Sequence, residues 1–203
     1  MLRDRFIAGG IFAFGVAVVG GYAISQMATP VMAQAEDGPG PNLVIEVAGS
    51  TSGQIVIDML PDVAPKHVEQ ITALARDGAY DGVVFHRVID GFMAQTGDVQ
   101  YGKGDRTMGR AGMGGSDRPD LPAEFSQIGF DRGVVGMARS QDPNSANSQF
   151  FIMFAPGDFL NGQYTVVGRV ISGMEVVDAI KKGEGGNGEV AEPDRMETVT
   201  VTE

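Results

Sequence analysis

At 203 residues, 43% of them hydrophobic, the chain has the length for one single-core domain with a short appendage. Its formal charge is -11, and because residues 1–35 hold only Arg3, Arg5 and Asp4, the remainder stands at -12, which disfavours nucleic acid or an anionic membrane surface as the main partner. The lack of cysteine excludes disulfides, thiol nucleophiles and the usual zinc cages, and the two histidines, His67 and His86, fall on different predicted elements, so a multi-histidine metal site is not expected.

The N-terminus opens with Arg3 and Arg5, then an uncharged run from Phe6 to Ile24, then Pro30 and small residues, the pattern of an export signal. Val31-Met32-Ala33 and Ala33-Gln34-Ala35 each offer the small-x-small site that a signal peptidase needs. Uncleaved, residues 6–24 also reach the roughly 17 to 25 apolar residues that span a bilayer, so an inner-membrane anchor is the alternative. In both cases the folded part is expected outside the cytoplasm, in the periplasm. Glu36 to Asn42 reads EDGPGPN, a linker that cannot hold regular structure. Residues 1–35, 36–42 and 43–203 are thus expected to be leader, linker and domain.

The domain begins with two alternating stretches, Leu43–Val47 and Gln54–Met59, which predict a hairpin. Pro65 at a helix start, Val68, Ile71, Leu74 and Ala75 at helical spacing and Gly78 at a stop predict a helix, with His67 on its exposed surface. Short β-like runs follow at Val83–Val88, Phe92–Thr96, Gly133–Met137, Phe150–Phe154, Thr165–Val170 and Thr198–Thr202. A second helix is predicted from a capping box, Ser172 with Glu175, with Met174, Val177 and Ile180 on one face and Lys181, Lys182 and Gly183 at the close. Many short strands and two helices predict a mostly β fold, a barrel whose open ends the helices cover. Two long segments, Gln100 to Pro122 and Ala155 to Gly162, are left as loops of the functional kind. The first contains GRAGMGG at 109–115, which lacks the Lys-Ser/Thr of a phosphate loop, so nucleotide binding is not expected.

Chemistry concentrates in FHRVIDGFMAQTGD, residues 85–98, which sets Arg87, Phe92, Met93 and Gln95 within nine positions. A second block runs from Met137-Ala138-Arg139-Ser140 to Asn147-Ser148-Gln149-Phe150-Phe151-Ile152, and a third holds Phe159-Leu160-Asn161-Gly162 and Val166-Val167-Gly168-Arg169-Val170. These blocks, in this order, resemble the cyclophilin family across roughly residues 43–202. The resemblance implies a closed eight-stranded antiparallel barrel capped by two helices, isomerisation of X-Pro bonds in proline-containing polypeptides, and no cofactor or metal. A monomer is expected.

A catalyst of that reaction must weaken amide conjugation, which otherwise sets a barrier of about 18 to 20 kcal/mol. In the twisted transition state the prolyl nitrogen regains its lone pair and becomes a hydrogen-bond acceptor. Arg87, permanently protonated and offering a fork of N–H groups, suits that task without proton transfer. By the resemblance, Phe92, Met93, Phe151 and Leu160 line the proline pocket, Gln95 bonds the substrate backbone, Ala138-Arg139-Ser140 holds the residues before proline through main-chain bonds, and Gln149 lies beside Arg87. Taken singly, Arg87 reads as a surface residue and the apolar ones as core; together they read as a site. His86 reads as a hydrogen-bonded structural neighbour. Phe159, Tyr164 and Arg139, all expected at the substrate, stand where many eukaryotic members carry tryptophan, histidine and asparagine: Tyr164 should keep an aromatic wall to the pocket, and the indole N–H lost at Phe159 should make cyclosporin inhibit weakly. The rival reading is a non-catalytic chaperone that holds proline-containing segments in the same groove.

Overall fold

The computed structural model describes residues 36–104 and 108–203; the leader and anchor expected over residues 1–35 lie outside the described residues. The strands are β1 (Asn42–Ala48), β2 (Gly53–Met59), β3 (Val83–Val84), β4 (Arg87–Ile89), β5 (Met93–Thr96), β6 (Val134–Met137), β7 (Phe150–Met153), β8 (Val166–Ser172) and β9 (Arg195–Thr202), and the helices are α1 (Pro65–Arg76) and α2 (Met174–Ala179). All the strand pairings are antiparallel. The strand order is β3-β9-β1-β2-β8-β6-β7-β5-β4.

The two ends of that order, β3 and β4, are pieces of the single run expected over Val83–Val88. They part at Phe85 and His86, where Phe85 N–H donates to the Asp194 carbonyl and Val190 N–H to the His86 carbonyl. The Thr96 hydroxyl, on β5 next to the β4 end of the order, donates to the Val84 carbonyl on β3 at the other end, at 2.9 Å. The sheet thus curls until its ends meet, and the barrel counts eight strands if the broken run is one and nine if it is two.

Period-two alternation fills the interior. Leu43 pairs with Ile57 and Ile45 with Ile55, and all four are buried, as a half-solvated antiparallel sheet requires. α1 turns Val68, Ile71, Leu74 and Ala75 onto this core and packs on β9. His67 corrects the expectation of an exposed residue: it is fully buried, its Nδ1 2.6 Å from Glu124 Oε2, while the N–H groups of Lys66 and His67 also donate to that carboxylate. Burial opposes the ionisation of Glu124, but these hydrogen bonds prevail and hold its pKa below the usual value.

The capping box does not form. Ser172 is still strand, paired with Val56, and the N-cap is Gly173 at φ +85° with no side-chain hydrogen bond. A Cβ at Gly173 would lie 2.1 Å from the Gln54 carbonyl oxygen, so the sharp exit from β8 demands glycine there, and the serine one residue earlier is left on the strand.

Candidate active site

The outer face of β4, β5, β7 and β6 carries the site, and strand register explains why. Arg87 pairs with Gln95, Gln95 with Phe151 and Phe151 with Gly136, giving one row across four strands. The next row sets Ile89 beside Met93 and Met93 beside Met153. Their sequence neighbours Val88, Ala94, Phe150 and Ile152 point the other way, into the barrel core. Outside, Met93, Phe130, Phe151, Met153, Leu160 and Val166 form a second apolar cluster, with Phe92, Ala138 and Tyr164 packed on it.

This cluster floors a cavity of about 260 Å³ lined by Arg87, Phe92, Met93, Gln95, Ala138, Arg139, Phe151, Phe159, Leu160 and Tyr164. Every one of these is a residue singled out from the sequence. Phe151 lies between Phe130, stacked at 5.7 Å, and Tyr164, edge-on at 5.8 Å; Phe92 and Phe159 meet at 5.4 Å. Gly136 permits the stack, because a Cβ there would stand 2.5 Å from Phe130 and 2.6 Å from Phe151. Arg139 covers the outer face of Tyr164, its guanidinium carbon 4.4 Å from the ring centroid, and is tied down by the carbonyls of Gln163 and Ser140.

Arg87 is clamped at the polar edge. Its Nε donates to the Asn187 carbonyl at 2.9 Å and its Nη1 to Gln95 Oε1 at 3.2 Å, which leaves Nη2 without a hydrogen bond among the described residues. Partial burial lowers its pKa, with Tyr164 opposing, yet a guanidinium stays protonated. Gln95 in turn donates from Nε2 to Gln149 Oε1 at 2.9 Å, and Gln149 donates from Nε2 to the carbonyls of Gly112 and Gly114 at 3.1 and 2.7 Å. Because arginine can only donate, each amide in this chain has one allowed orientation.

The loop on which the relay ends is held by Asp98, fully buried, whose Oδ1 accepts the N–H groups of Gln100 and Tyr101 and whose Oδ2 accepts those of Gly112 and Gly114. Asp98, Asn187, Phe130 and Gly136 were not singled out from sequence. Asp98 closes the FHRVIDGFMAQTGD motif and could have been noted as an acid facing a glycine-rich loop; Asn187 acts through its backbone and leaves no signal.

Ser140 and Gln149 line a neighbouring cavity of about 390 Å³ that shares Gln95, Ala138 and Arg139 with the first. Along this stretch the Ala138 N–H is taken by the Gln149 carbonyl and the Ser140 N–H by the Ser145 hydroxyl. The Ala138 carbonyl and Arg139 N–H have no partner among the described residues, so they are the main-chain groups open to an added strand. His86 departs from expectation: it is buried, but neither ring nitrogen has a hydrogen-bond partner among the described residues. Burial lowers its pKa to about 4, opposed by Asp98 and the Val84 backbone, with Arg87 adding to the fall.

A curled antiparallel barrel with a guanidinium beside an apolar, aromatic-walled pocket defines a class of enzyme that rotates a bond next to a proline ring. Comparison with known proteins agrees. Residues 42–201 match the family described as "Cyclophilin type peptidyl-prolyl cis-trans isomerase/CLD". Over 152 residues the chain is 63% identical to a "Probable peptidyl-prolyl cis-trans isomerase" of Brucella suis biovar 1, covering 73% of this chain and 78% of that one. It is 40% identical over 138 residues to the Arabidopsis thaliana "Peptidyl-prolyl cis-trans isomerase CYP18-1", covering 68% and 82%. Its fold is similar to the crystal structure of cyclophilin AquaCyp293 from Hirschia baltica, with a TM-score of 0.66, 27% identity and coverage of 82% of this chain and 75% of that one. A cyclophilin type isomerase of Cryptosporidium parvum, crystallised in the presence of the dipeptide ala-pro, shares the fold at a TM-score of 0.66 and 24% identity, covering 80% and 99%. The chain belongs to the cyclophilin-type peptidyl-prolyl cis-trans isomerases, and peptidyl-prolyl isomerisation is its activity.

Proposed function

We propose that the chain isomerises X-Pro bonds of exported polypeptides by donating a hydrogen bond from Arg87 to the prolyl nitrogen as the amide twists. The observation that carries this is the clamped guanidinium: Asn187 and Gln95 fix its plane, and Nη2 remains to meet a substrate at the mouth of the apolar cavity. A donor held in place before the reaction stabilises the charge that develops only in the twisted state. Proline's ring fits an apolar cavity of this size, and the ala-pro dipeptide supplied to the Cryptosporidium parvum relative is ligand chemistry of the same kind. Ala138 O and Arg139 N–H hold the residues before proline as an added extended segment.

Arg87→Ala is expected to lower kcat/KM for an X-Pro peptide, read by NMR exchange, by roughly 10²–10³, the loss typical of one pre-placed transition-state donor, and Arg87→Lys recovers only part because an ammonium cannot keep both clamps. An unchanged rate in Arg87→Ala sinks the mechanism. We further propose that the protein works in the periplasm, on the strength of Arg3, Arg5, the apolar run Phe6 to Ile24 and the small-x-small sites before Glu36. N-terminal sequencing of protein recovered from periplasmic and membrane fractions tests this, and recovery from the cytoplasm alone refutes it.

A further inference from the structure

We propose that Asn187 is a site of spontaneous deamidation whose isoaspartyl product disables Arg87. The modification is independent of the mechanism above, while its effect on activity rests on that mechanism.

The chain holds two Asn-Gly pairs, Asn161-Gly162 and Asn187-Gly188, in which no side chain screens the following amide nitrogen from the asparagine side chain. The fold treats them differently. Asn161 Oδ1 accepts the Phe130 N–H at 2.8 Å, so its side-chain amide is fixed. Asn187 is exposed, and its side chain makes no hydrogen bond among the described residues. It lies in the turn between Glu184 and Glu189, which bridge each other, and a Cβ at Gly185 or Gly186 would meet open space.

The nucleophile of the reaction, the Gly188 nitrogen, is loosely held. Its N–H reaches the Gly185 carbonyl only at 3.4 Å, beyond the usual range, whereas the Gly188 carbonyl accepts the Val88 N–H at 2.7 Å. Glycine is also obligatory there. Its φ is +71°, and a Cβ would stand 2.5 Å from Ile89 Cγ1 and 2.9 Å from the Val88 carbonyl oxygen. The close approach that seats this turn on β4 thus leaves the nitrogen bare.

The Gly188 nitrogen gives up its proton and attacks Asn187 Cγ. The N–Cγ bond forms, the Cγ–Nδ2 bond breaks, and ammonia leaves with the proton, which closes a succinimide. Water then opens the ring at either carbonyl, giving aspartate or isoaspartate at position 187, with no oxidation or reduction. In isoaspartate the main chain runs through Cβ and Cγ and is longer by one carbon, about 1.5 Å, and the former main-chain carbonyl becomes a free carboxylate. That carbonyl is the one to which Arg87 Nε donates at 2.9 Å. A carboxylate in its place can take Nε and Nη2 together, as a side-on fork. Nη1 is already given to Gln95, so the donor left for the prolyl nitrogen is consumed.

The test is to age the purified protein in mildly alkaline buffer. Peptide mapping by mass spectrometry, with fragmentation that separates isoaspartate from aspartate, is run beside NMR exchange on an X-Pro peptide. Position 187 should convert while position 161 stays asparagine, and faster as pH rises, because the attacking nitrogen must shed its proton. Activity should fall in step with the isoaspartyl fraction. That fraction should be roughly tenfold less active in kcat/KM, with kcat carrying the loss and KM unchanged, as for an interaction made only in the transition state. Asn187→Gln, whose longer side chain closes a ring far more slowly, should hold its own unaged rate over the same interval. Treatment of aged wild type with an isoaspartyl methyltransferase and S-adenosylmethionine, which turns isoaspartate into aspartate, should restore activity. Conversion at 187 no faster than at 161 overturns the proposal, as does isoaspartate accumulating with kcat/KM unchanged while Arg87→Ala is impaired. If Arg87→Ala itself keeps the wild-type rate, the isomerase mechanism has failed instead, and the peptide map still decides the modification.

Discussion

Asp98 offers the sharpest check on the idea that Arg87 is held by a chain of hydrogen bonds. Its carboxylate is fully buried and accepts four backbone N–H groups, from Gln100, Tyr101, Gly112 and Gly114, at 3.1, 2.8, 2.7 and 2.9 Å. In Asp98→Ala all four lose their acceptor. A hydrogen bond to a charged group is worth about 1.5–3 kcal/mol, and water can replace only some of them in a part-buried loop, so the variant should lose about 3 kcal/mol. For a domain of this size that is a fall in Tm of roughly 6–12 °C. The functional consequence is separate. Gly112 and Gly114 also hold Gln149, Gln149 holds Gln95, and Gln95 holds Arg87. A shifted loop should therefore reach the guanidinium and lower kcat/KM roughly tenfold, since small misplacements of a catalytic donor are expensive. Thermal unfolding and NMR exchange, the latter far below the variant's Tm, measure the two effects independently. A lowered Tm with kcat/KM within twofold of wild type would show that the relay does not position Arg87, and an unchanged Tm would show that Asp98 is not what shapes the loop.

Protonation of His86 gives a second handle. With a folded pKa of about 4 against 6.5 unfolded, its contribution is complete above about pH 6.5 and is lost progressively toward pH 4, where the unfolded chain alone takes up the proton; the full loss is about 3 kcal/mol. Urea unfolding at several pH values should show this slope, and His86→Phe should flatten it, whereas Glu124, held below its usual pKa, loses its contribution only at still lower pH. Gly136→Ala should destabilise by roughly 1–3 kcal/mol through overpacking of Phe130 against Phe151 and weaken binding of an X-Pro peptide; a wild-type Tm would mean the stack moves freely. Cyclosporin should inhibit weakly, because Phe159, 65% exposed at the mouth of the pocket, has no ring N–H to offer. Nanomolar inhibition of the wild type refutes that.

The fold was legible where burial and local pattern agree. Leu43–Val47 and Gln54–Met59 alternate because one face of each meets the core, and the helix from Pro65 to Arg76 carries its stripe and its terminating Gly78. It was misread where tertiary contact overrides local preference. Ser172 with Glu175 has the spacing of a capping box, but pairing with Val56 keeps Ser172 on the strand. His67, polar and on a helix, gave no hint of burial, because its partner Glu124 is 57 residues away. The run Val83–Val88 shows no break in composition; its break at Phe85 and His86 comes from hydrogen bonds with Asp194 and Val190, more than 100 residues on.

In the site, the side chains were readable and their supports were not. Arg87, Met93, Gln95 and Phe151 are unusual enough as a set to identify, and strand register then places them together on one face. What aims Arg87 is a main-chain carbonyl, Asn187 O, and a relay ending on loop carbonyls at Gly112 and Gly114. Backbone groups carry no sequence label, so any residue at 187 with the same turn could serve. Reactivity here depends on where one guanidinium nitrogen is left uncommitted, a property of geometry that appears only when every other donor in the chain has been assigned a partner.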